Sequence, residues 1–92
     1  MDMPSIEMPK YKCNKEVWAL KIKEVVDPTG PNEETTGERQ LVCENSIYAP
    51  ITVHRDYVRK HNPQAGGYYV VYKDGYQSFS PADAFEDGYT LI

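Results

Sequence analysis

The stretch "YYVVYKDGYQSFSP", Tyr68 to Pro81, constrains the fold more than any other. Two runs rich in aromatic and β-branched residues flank Lys73-Asp74-Gly75, which is the pattern of a β-hairpin. Its register has two solutions. A two-residue Asp74-Gly75 turn sets Val70 opposite Phe79. A three-residue turn with Gly75 left-handed sets Tyr72 opposite Tyr76. A one-residue slip exchanges the faces of a strand, so this choice decides which tyrosines are buried. Beyond the hairpin, Ser80 suits an N-cap, Pro81 the first helical position and Asp83 the acidic third. "PADAFED" then makes one or two helical turns, and Gly88 ends them. Tyr89, Leu91 and Ile92 can lie back on the core as a last extended piece.

The rest of the chain supplies partners for that hairpin. Glu16 to Val26, "EVWALKIKEVV", alternates, with Trp18, Leu20 and Ile22 on one face and Lys21 and Lys23 on the other. It reads as a half-buried strand. Asp27 to Glu38, "DPTGPNEETTGE", is an acidic loop of turn chemistry with no apolar position. Arg39 to Glu44, "RQLVCE", is a second strand antiparallel to the first. Ile47, Tyr48, Ile51 and Val53 read as extended, interrupted at Pro50. Val53, Tyr57 and His61 lie four apart, which fits a two-turn helix with Thr52 as its N-cap and Asn62-Pro63 as its stop. Residues 1–10 form a flexible N-terminal arm, and residues 11–92 a single domain. About four strands and two short helices predict an α+β fold, a small antiparallel curled sheet or partial barrel.

Ninety-two residues bury only about 60–65% of the unfolded surface, so the core is small and a homo-oligomer is expected. A net charge of −4 argues against general nucleic-acid binding, whose affinity comes largely from phosphate neutralisation. No apolar run approaches a membrane span, and "MDMPSIEMPK" has neither the basic nor the apolar region of a leader. Cytosolic, reduced Cys13 and Cys43 are expected. They are too few for a disulfide scaffold, and no Cys/His spacing suggests a structural metal. No cofactor is expected.

"GGYYVVYKDGYQSFSPADAFEDGYTLI", with "YKCNKEVWALKI" upstream, resembles a group of small proteins encoded by tailed bacteriophages and prophages. The resemblance covers Tyr11 to Ile22 and His61 to Ile92, and leaves out the middle loop. It implies a phage gene and a bacterial host cytoplasm. It carries over no catalytic residues.

Few residues point to chemistry. "HRD", His54 to Asp56, looks like a kinase catalytic loop, but His61 stands where the pattern needs Asn. Gly66-Gly67 lacks the helix and Lys of a phosphate loop. Asp83, Glu86 and Asp87 serve as dipole and solvent residues, and the two cysteines lack an orienting third group beside a histidine. Enzyme activity is not expected. The strongest candidate site is the basic cluster His54, Arg55, Arg59, Lys60 and His61 around Tyr57, where Arg would clamp phosphate and Tyr or His would stack on a base. The same residues also suit a solvated helix face. The tyrosines Tyr68, Tyr69, Tyr72 and Tyr76 divide between core and interface, since Tyr68 and Tyr69 point to opposite faces. Two binding functions follow. One is a non-catalytic accessory protein that engages a host or phage protein through the tyrosine-rich sheet. The other is a counter-defence protein that sequesters a small phosphorylated ligand, a nucleotide signal, at a subunit interface.

Overall fold

Strand β2, Glu16–Val26, is the longest element and every other strand is built outward from it. The computed structural model describes residues 8–12, 16–31, 33–34 and 36–91. Within them the chain runs β1 (Lys10–Lys12), β2, β3 (Arg39–Cys43), β4 (Ile51–Val53), α1 (Arg55–His61), β5 (Tyr68–Tyr72), β6 (Gln77–Ser80), α2 (Ala82–Gly88) and β7 (Thr90–Leu91). All strand pairs are antiparallel, and the sheet is curled into a half-barrel. The fold is α+β with two short helices.

Alternate residues of a strand bond to opposite edges, so the partners of β2 can be placed. On one edge, the Ala19 N–H donates to the Pro9 carbonyl (3.0 Å), and the Lys21 carbonyl accepts from the Glu44 N–H (2.9 Å). On the other, the Ile22 N–H donates to the Gly67 carbonyl (2.8 Å) and its own carbonyl accepts from the Gly66 N–H (2.7 Å). Strands β1 and β3 therefore occupy one edge end to end, and β5 holds the opposite edge. The register of β2 with β3 shifts between Ile22 and Glu24. Such a bulge bends a strand and increases its twist, which accounts for the curl.

Both faces of β2 are covered. Val17 and Ala19 are 0% and 1% exposed and join Tyr68, Val70 and Phe85 in one cluster, roofed by α2. Ile22 joins Leu41, Val53, Tyr57 and Tyr69 in a second, roofed by α1. The alternation of apolar and charged residues reads as a half-buried strand, but small Val17 and Ala19 leave room for Phe85 to pack on that face. Phe85 stacks on Tyr68 at 4.2 Å and on Tyr89 at 4.5 Å between ring centroids.

The hairpin takes the three-residue solution. Tyr69 pairs with Phe79 and Val70 with Ser78. Gly75 has φ 91°, a left-handed conformation that glycine adopts without strain. Its N–H donates to the Tyr72 carbonyl, and the Tyr72 N–H donates to the Tyr76 carbonyl, both at 2.9 Å. The Asp74 carboxylate accepts from the Tyr76 N–H at 2.9 Å and braces the turn.

Several boundaries differ from the sequence reading. Ser80 ends β6 instead of capping α2; Pro81 is the N-cap, in an extended conformation, and Tyr89 rather than Gly88 is the C-cap. Thr52 pairs with Gln40 in β4, so α1 begins later, at an N-cap supplied by His54. Ile47 and Tyr48 lie in a turn, where the Asn45 side chain accepts from the Ile47 N–H (3.1 Å). In the segment read as an arm, Met8 packs against the second cluster and Lys10 pairs with Trp18. The rest of that arm, residues 1–7, lies outside the described residues, as does Cys13.

Phe85→Ala should cost about 3–5 kcal/mol of unfolding free energy, because it empties the space between two stacked rings. Urea denaturation measures it, with Ile47→Ala, 57% exposed, as a control expected to stay within about 0.5 kcal/mol.

Candidate binding surfaces around helix α1

Helix α1 holds most of the basic residues expected at a site, and its own geometry separates them. His54 stands extended before the first turn, and its Nδ1 accepts the Asp56 N–H at 3.1 Å. Its ring also lies 3.5 Å from the Asp56 carboxylate. Asn62 closes the helix in a left-handed conformation, φ 47°, with its N–H donating to the Val58 carbonyl. Between these caps, residues four apart stack on one side and neighbours lie about 100° apart. Arg55 and Arg59 share one flank, Asp56 and Lys60 the next, and Tyr57 and His61 turn toward the sheet.

Tyr57 is the anchor. Its ring lies 6.1 Å from that of Tyr69, and its hydroxyl donates to the Ser78 carbonyl of β6 at 2.6 Å. Burial, followed by the neighbouring Tyr69 and Tyr76, pushes its pKa up. It ties the helix to the hairpin and presents no free ring face on which a base could stack.

On one flank, α1 and the hairpin turn enclose a shallow groove of about 340 Å³. The Lys60 ammonium lies 5.2 Å from the centre of the Tyr76 ring, a cation–π geometry. The Tyr76 hydroxyl is 3.3 Å from His61 Nε2. His61 also packs at 4.8 Å on the Tyr57 ring. Burial, and then the Lys60 charge, lower its pKa, which favours the neutral ring. Tyr76 is 43% exposed, so the groove shows a wet aromatic edge beside a cation.

On the opposite flank lies a second cleft, of about 350 Å³, between α1 and the end of the acidic loop. Arg39, Arg55 and Arg59 line it, with Val58, Thr36 and Gly37. Arg39 is a residue that sequence reasoning missed. It opens β3 and pairs with Val53, the last residue of β4, which sets it beside the start of the helix. The strand pairing was the signal that could have found it. Gly37 has φ 86°, and a Cβ there would lie 2.8 Å from Arg55 Cβ, so the loop can seat against the helix only with glycine at this point. Arg39 lies 3.7 Å from the Asp27 carboxylate and donates to the Glu38 carbonyl at 2.7 Å. Among the described residues, neither Arg55 nor Arg59 forms an ion pair.

The tyrosines expected at an interface divide. Tyr68 and Tyr69 are buried, on opposite faces of β5, because both faces are roofed by helices. Neither offers a surface. The Tyr68 hydroxyl donates to Glu86 at 2.8 Å, and Lys21 lies 3.1 Å from the same carboxylate oxygen. The Tyr68 hydrogen bond, and then Lys21, hold the Glu86 pKa below the usual carboxylate range. Tyr72 is half-buried, and Tyr76 alone of the four is exposed.

Cys43 is buried, its thiol 4.0 Å from the Ala49 carbonyl, and burial pushes its pKa up, away from the thiolate a nucleophile needs. Among the described residues, no group of three or more His, Cys, Asp and Glu could hold a metal ion. No described helix is long and apolar enough to cross a membrane. The chain matches no family model, no curated protein and no solved structure.

Tyr57→Phe should cost about 0.5–1.5 kcal/mol in denaturant unfolding, the usual worth of one hydrogen bond, with the fold retained. His61 should titrate below the ordinary histidine value when its ring protons are followed by NMR. A histidine whose folded pKa lies below its unfolded one contributes stability above the unfolded pKa, and loses it as pH falls through the folded pKa. Stability should therefore rise with pH across that window, and less so in His61→Gln.

Proposed function

We propose that this is a phage-encoded accessory protein that acts by binding, without catalysis, in the bacterial cytoplasm. Its partner is a host or phage protein, and the contact surface is the groove between α1 and the hairpin turn. The Lys60–Tyr76 pair carries this reading. An exposed ring stacked under a cation, with His61 on its hydroxyl, offers apolar area, a donor and positive charge on one rigid patch. Tyrosine anchors of this kind are enriched at protein interfaces. The cationic rim favours an acidic partner surface.

The phage context rests on the resemblance of the segments Tyr11 to Ile22 and His61 to Ile92. The alternative, sequestration of a nucleotide signal at a subunit interface, needs a ring to stack on the base. Tyr57, which would supply it, spends its hydroxyl and its burial on the core.

A photoactivatable residue placed at Tyr76 should trap one discrete protein in the bacterial host during phage infection. The same residue at Asp83, exposed on α2, should trap none. Lys60→Glu should abolish the cross-link at Tyr76 while the protein stays folded. No discrete product from either position, or equal products from both, would sink the assignment of this surface.

A further inference from the structure

The cleft lined by Arg39, Arg55 and Arg59 is independent of the groove at Tyr76, and lies on the other flank of α1. We infer that it is a binding site for the phosphate groups of a small molecule, one that recognises phosphoryl oxygens and ignores whatever organic group they are attached to.

Three observations converge on that chemistry. The first is the concentration of guanidinium groups. A chain of net charge −4 gathers three arginines around a single cleft, one from the start of β3 and two from α1. Guanidinium presents a planar fork of donors that matches two oxygens of a phosphate, and arginine is favoured over lysine wherever that fork is used. Among the described residues, no lysine lines the cleft. The second is the charge that lacks a partner. Arg55 and Arg59 stand one turn apart on α1 without an ion pair among the described residues. Two like charges at this spacing destabilise a short helix modestly, and an anion bridging them removes the penalty. The third is the wall. Gly37 is held against Arg55 at a spacing that leaves no room for a Cβ, so the loop backbone closes one side of the cleft at a set distance from the helix. Thr36 lies on the same wall.

The lining also limits the ligand. Among the described residues, Val58 is the only apolar side chain in it, and no aromatic ring lines it. Nothing there can stack on a base. The Asp27 carboxylate, 3.7 Å from Arg39, competes with an incoming anion for that guanidinium. Its Oδ1 accepts the Thr29 N–H at 2.9 Å, a role that an asparagine amide oxygen can keep.

Isothermal titration of the full chain with pyrophosphate, ADP and adenosine, at low ionic strength, tests the site. Pyrophosphate and ADP should bind with affinities within about threefold of each other, since both present the same fork acceptors, and adenosine should not bind. Arg55→Ala and Arg59→Ala should each weaken pyrophosphate binding by at least about tenfold, the loss expected for charge-assisted hydrogen bonds. Arg55→Lys and Arg59→Lys keep the charge and should weaken it nearly as much. Asp27→Asn should tighten it. Lys60→Ala and Tyr76→Ala, in the other groove, should leave it unchanged, which keeps the two surfaces separable. Amide–proton spectra of each variant report whether it folds. Wild-type protein that takes up neither pyrophosphate nor ADP at millimolar concentration overturns the inference. So does binding that survives both alanine substitutions in folded protein, or ADP binding far tighter than pyrophosphate.

Discussion

Everything in this molecule hangs on the double duty of one strand. Buried backbone amides and carbonyls must find partners, and β2 finds them on both edges from Val17 to Ile22. It also buries side chains on both faces, which most antiparallel strands in small domains do not. One edge changes neighbour, β1 giving way to β3 just before the bulge after Ile22, while β5 holds the other. That bend lets a chain of this size enclose two small apolar clusters instead of one. The two helices are consequences of it, since each cluster needs a lid and each lid is only seven residues long.

Much of this was legible in the sequence. The strands at Glu16–Val26 and Arg39–Cys43, the hairpin and the helix after Pro81 all follow from local signals that agree with the residues around them. What was not legible came from long-range pairing. The hairpin admitted two registers on local grounds. The left-handed Gly75, the Asp74 brace and the packing of Tyr69 against Tyr57 together select one. Val53 has the spacing of a helical residue, but pairing with Arg39 draws it into a strand and pushes the cap to His54. Val17 and Ala19 look too small to define a core face until Phe85 arrives from almost seventy residues away.

The candidate surfaces show the same division. The residue types around α1 were visible in the sequence, but their grouping was not. A basic run reads as one patch along the chain, yet a helix deals its residues to different sides. Arg55 and Arg59 go to the loop, Lys60 to the hairpin, and Tyr57 to the core. Arg39 enters the first of these groups only through the β3–β4 pairing. The tyrosines of β5 point to opposite faces as strand geometry requires, but a helix waits on each side.

The pairing of β1 with β7 has a bearing on how the chain is made. Tyr11 lies opposite Leu91 and Lys12 opposite Thr90, so strands from the two extremes of the described chain are neighbours. During synthesis, β1 can pair with β2 as soon as both have left the ribosome, while its outer edge waits for β7. Contacts of such wide sequence separation are slow to form, because loop closure must come before they stabilise anything. A nascent chain that has displayed every element but β7 therefore carries an open strand edge. Such an edge is a template for pairing with another chain, and β7 covers it opposite Tyr11 and Lys12.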